Sequence, residues 1–153
     1  MASKHKISQF CRIFQWVEAE DSELASAIRD LCMEGALSAG GRLRGVTFLF
    51  PDEKHRAAIV AAAYDGKHAE QAIDMIKSLI IPDKLQTAAE FKAAPQVGNR
   101  LGNLLVIEKA TADGVELKGG VTLALEKSFK TAGEKDIAVW RITKGVIPYD
   151  KKS

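Results

Sequence analysis

Cysteine, histidine and proline are scarce in this chain of 153 residues, and the scarcity removes whole classes of chemistry. The two cysteines, Cys11 and Cys32, have no other Cys or His within four residues, so no short-spaced zinc set exists. Both fall at apolar positions of a helical pattern, which reads as two reduced core thiols. The three histidines, His5, His55 and His68, form no His-Glu-x-x-His pair. His68-Ala69-Glu70 has the first half of a zinc deaminase signature, but no Pro-Cys-x-x-Cys follows. Gly-x-Ser-x-Gly is absent as well. No metal, cofactor or catalytic constellation is therefore expected.

Charge of one sign is also lacking. Lys plus Arg number 22 against 20 Asp plus Glu, a net charge of +2, too small to signal nucleic acid or anionic lipid by itself. No apolar run is long enough to span a bilayer, and the polar N-terminus does not read as a signal peptide. No Asn-x-Ser/Thr acceptor occurs. The expected setting is the reducing cytoplasm, with no membrane association.

What is present is ordinary for a globular protein: 46% apolar and 27% charged residues. The length suits one domain over 1–153. Its organising stretch is Gly40–Pro82: a glycine-rich turn, the apolar strand Val46–Phe50, Pro51, and two helices joined by Asp65-Gly66. A strand apolar on both faces must be covered on both. Pro51-Asp52 stops it, and Asp52 caps a helix over Glu53–Tyr64.

Before this stretch, Ile7, Phe10, Cys11, Phe14 and Val17 recur at helical spacing. Asp21 or Ser22 caps a second helix ended by Gly35 and the run through Gly41. Pro82-Asp83 opens a fifth helix over Lys84 to about Ala93, and Pro95–Asn103 reads as a loop. From Leu104 the pattern turns strand-like: Leu104–Lys109, Val115–Leu117, Val121–Glu126 and Ile137–Ile142, with Asp113-Gly114 as a hairpin turn. The expected class is α+β. A mostly helical half, about 5–95, with about five helices and one buried strand, precedes an antiparallel meander over about 103–147.

Three functional readings follow. The first is a non-enzymatic protein-interaction or adaptor module that binds a protein partner or its own copy. Trp140, between Val139 and Arg141, is its outward interface candidate if strand alternation holds. The second is a nucleic-acid-associated regulator, in which Arg42, Arg44, Lys54, His55, Arg56 and Lys67 form one basic, anion-binding edge. The glycines at 35, 40 and 41 match Walker A spacing, but the Lys and the Ser/Thr are missing and the loop precedes a strand. The third is an enzyme assembled from distant residues, with His55 or His68 as acid/base.

Overall fold

The computed structural model describes residues 12–38, 45–129 and 137–150. His5, the predicted helix start through Cys11, the glycines at 40 and 41, Arg42, Arg44 and the polar loop 131–136 lie outside the described residues.

The helices are α1 (Arg12–Glu20), α2 (Ser22–Asp30), α3 (Glu53–Tyr64), α4 (Ala69–Ser78) and α5 (Ala88–Ala93). A 3-10 turn spans Glu34–Leu37. The Asp21 side chain accepts from Leu24 N at 3.0 Å, and Asp52 from His55 N at 2.8 Å. Each satisfies an orphan donor in the first turn, worth about 1 kcal/mol. α1 buries Ile13, Phe14 and Val17, and α2 buries Leu24, Ala25, Ala27 and Ile28. α1 packs on α2, α2 on α3, and α3 on α4, so the four helices form one continuous layer.

The start of α5 differs from expectation. Pro82-Asp83 begins no helix; α5 starts six residues after Pro82, at Ala88, behind a capping box. Thr87 Oγ1 accepts from Glu90 N at 3.2 Å, and Glu90 Oε1 accepts from Thr87 N at 3.1 Å. The segment between is needed elsewhere. Thr47 Oγ1 donates to Asp83 O at 2.7 Å and accepts from Leu85 N at 2.9 Å. Gln86 Nε2 donates to Ile137 O at 3.0 Å. Residues 83–86 are thereby stitched across two strands.

The strands are β1 (Val46–Phe50), β2 (Ile80–Ile81), β3 (Gln96–Gly98), β4 (Leu104–Thr111), β5 (Gly114–Leu117), β6 (Val121–Leu125) and β7 (Ile137–Lys144). They form one seven-stranded sheet in the order β2-β1-β7-β6-β5-β4-β3. This corrects the predicted architecture. β4 to β7 do follow one another as antiparallel neighbours. They are not a separate half, because β1 lies parallel to β7, from Val46 opposite Ile137 to Phe50 opposite Arg141. β2 then adds antiparallel to β1, and β3 antiparallel to β4. The sheet is therefore mixed: β1 and β2 from the supposed helical half, and β3 from the predicted loop at Pro95–Asn103, flank the meander. Its two ends also meet: Arg100 N, just past β3, donates to Ile80 O in β2 at 2.8 Å. Asn99 Nδ2 donates to Ser78 O at 3.1 Å beside it. The sheet is thus bent into a nearly closed barrel.

β1 is buried at all five positions, which its sequence requires. Phe50 faces the helices, with the Trp16 ring edge-on at 4.8 Å. Thr47 and Leu49 face the opposite way, toward the segment at 83–86. At the far end of the barrel Gly145 sits at φ +83°, and a Cβ there would lie 2.5 Å from Gly120 O. Only glycine permits the backbone to approach the β5–β6 turn that closely.

Candidate interaction surface

The described members of the predicted basic edge do not converge. Lys54 and Lys67 are exposed, but Lys54 is in the first turn of α3 and Lys67 follows its end, separated by most of that helix, about 15 Å at 1.5 Å per residue. His55 is half-buried in the first turn. Arg56 is committed to the fold. Its Nε pairs with Asp21 Oδ2 at 2.8 Å, its Nη1 donates to Pro51 O at 2.7 Å, and its guanidinium lies 4.5 Å from the Phe50 ring centre. Around it runs a groove of about 390 Å³ lined by Glu20, Asp21, Glu23 and Glu53, which is acidic rather than basic.

Arg141 makes the matching arrangement from β7. It pairs with Glu126 Oε2 at 2.6 Å and lies 5.0 Å from the same Phe50 ring. Phe50 thus sits among two guanidiniums and Trp16. Each cation has a carboxylate partner, so this is a charge-on-aromatic clamp between helices and sheet rather than an anion site. Burial alone would raise the Glu126 pKa. Hydrogen bonds from Arg141, Ser128 Oγ and Ser128 N, with the Arg141 charge, outweigh it and hold the carboxyl below its ordinary value.

Trp140 is not a surface anchor. It is 2% exposed, its Nε1 donates to Leu85 O at 2.5 Å, and its ring meets Phe91 edge-on at 5.1 Å. Alternation along β7 does change faces, but α5 and residues 83–86 cover the face that alternation assigns to Trp140. Cys32 is displaced in the opposite sense. It is exposed rather than core, and it holds the left-handed conformation (φ 58°) that ends α2, where Met33 N bonds back to Ile28 O at 2.9 Å.

His68 bonds through Nδ1 to Asp65 Oδ2 at the exposed turn between α3 and α4. The same carboxylate accepts from Lys67 N and His68 N at 2.7 and 2.8 Å. The His68 bond, then these backbone bonds, lower the Asp65 pKa to about 2. This fixes a turn; it does not place a base beside a substrate. Two further grooves are lined by Arg12, Gln15, Trp16, Ser128 and Phe129, and by Glu70, Gln71, Asp74, Tyr149 and Asp150. None of the three grooves is lined by a histidine. Among the described residues no cluster of three His, Cys, Asp or Glu side chains could hold a metal. No helix among them is long and apolar enough to cross a membrane.

Among the described residues an apolar pair stands exposed on one strand face. Leu104 and Val106, two apart on β4 and so on one face, are 61% and 38% exposed. Leu105 between them is buried. At the same end of the sheet, Lys118 N bonds to Val106 O, and Gly145 packs on the β5–β6 turn, which puts Val146, 47% exposed, beyond that turn. The rim carries Glu108, Glu116 and Lys118, all exposed. The sequence marks Leu104–Lys109 as a strand without marking which of its faces is open. The available signal was on the next strand, where the outward positions Glu116 and Lys118 mark a face open to water.

No family model matches the chain. It is similar to polyprotein pp62 of African swine fever virus: 36% identical over 146 residues in a Malawian tick isolate, and 37% in the Pretoriuskop tick isolate and the Badajoz strain. Each match covers 94% of this chain and 27% of the polyprotein, so the chain spans about a quarter of the length of these curated relatives. Among solved structures, the FAS1 domain pair of the insect cell adhesion molecule fasciclin I aligns at a TM-score of 0.45 with 16% identity. That alignment covers 92% of this chain and 46% of the other.

Proposed function

We propose that this domain is a non-enzymatic protein-interaction unit that meets another copy of itself or another chain through the Leu104–Val106 end of its sheet. The observation that carries the reading is the pair of same-face apolar side chains on β4, left exposed by a fold that buries β1 completely. Apolar side chains held together on a rigid strand, with a charged rim, are what a protein contact uses. The similarity to part of a viral polyprotein fits this reading, with the matched stretch serving as one folded unit of a longer precursor. Neither Lys54, Arg56 and Lys67 nor His55 and His68 favour a second reading, since among the described residues the former are dispersed or paired and the latter line none of the grooves described.

The test compares the wild type with a Leu104→Asp/Val106→Asp double variant. Sedimentation velocity over a concentration series reads self-association, and affinity capture from cell lysate reads binding to another chain. The expected result is a contact of either kind that the double variant loses while keeping its stability. A wild type that stays monomeric, and captures nothing that the variant fails to capture, overturns the proposal.

A further inference from the structure

We draw no further inference here: the strongest candidate, the aromatic-walled groove between α1 and the segment after β6 lined by Trp16, Ser128 and Phe129, carries nothing because nothing in the structure shows what covers it.

Discussion

β1 and the first half of β4 are both strongly apolar and meet opposite fates. Val46–Phe50 is buried at every position, whereas in Leu104-Leu105-Val106-Ile107 only Leu105 is buried. The cause is position. β1 lies between β2 and β7, with α1 and α3 contributing to one face and residues 83–86 on the other. β4 has α5 against it on its inner side, and its outer face has no element over Leu104 or Val106 among the described residues. An apolar strand interior to the layers is explained by folding alone. An apolar face left outside them is not, and it is there that function is sought.

The buried member of the comparison breaks most easily. Trp140→Ala removes the ring that meets Phe91 and the donor to Leu85 O. It should cost about 3–5 kcal/mol, read by urea denaturation. If Trp140 were instead a surface contact, stability would change by less than about 0.5 kcal/mol. Thr47→Val keeps the shape of β1 but strips Leu85 N of its acceptor in a buried site. A loss of about 1–3 kcal/mol is expected from the same measurement. A neutral outcome would mean that residues 83–86 are not held by β1.

How much of this contrast is legible in the sequence depends on range. β1, the Asp21 and Asp52 caps and the strands from Leu104 onward are written in neighbouring residues, and their observed limits lie close to the predicted ones. The parallel pairing of β1 with β7 is not, because it joins segments about ninety residues apart and leaves no local pattern. β2 and β3 have two and three residues, too few for alternation to register. Trp140 faces inward because of what packs over it, which only the long-range pairing determines. The start of α5 was readable: Thr87-Ala88-Ala89-Glu90 is a capping-box sequence, and Pro82-Asp83 is the weaker signal beside it.

Smaller effects sharpen the account at the periphery. Cys32→Gly should stabilise the protein by about 1 kcal/mol, because the residue ending α2 holds a left-handed backbone that a side chain disfavours. A melting temperature that does not rise would show that this backbone carries no strain. Asp65→Asn removes the charged acceptor of the α3–α4 turn. The folded Asp65 pKa is lowered from 3.8 to about 2, so its contribution is complete above the ordinary value and is lost as pH falls through about 2. The melting-temperature gap between wild type and Asp65→Asn should therefore narrow between pH 5 and pH 2. A gap that holds constant would contradict the assignment.

The smallest expected effect on stability belongs to the outer face of β4, and it bears most directly on the central claim. The Leu104→Asp/Val106→Asp variant should denature within about 0.5 kcal/mol of the wild type, since both side chains are exposed, Leu104 at 61% and Val106 at 38%. In the same preparation, sedimentation velocity and capture from cell lysate should show an association that the wild type makes and the variant has lost. A stable variant that associates as the wild type does would remove this surface from the account.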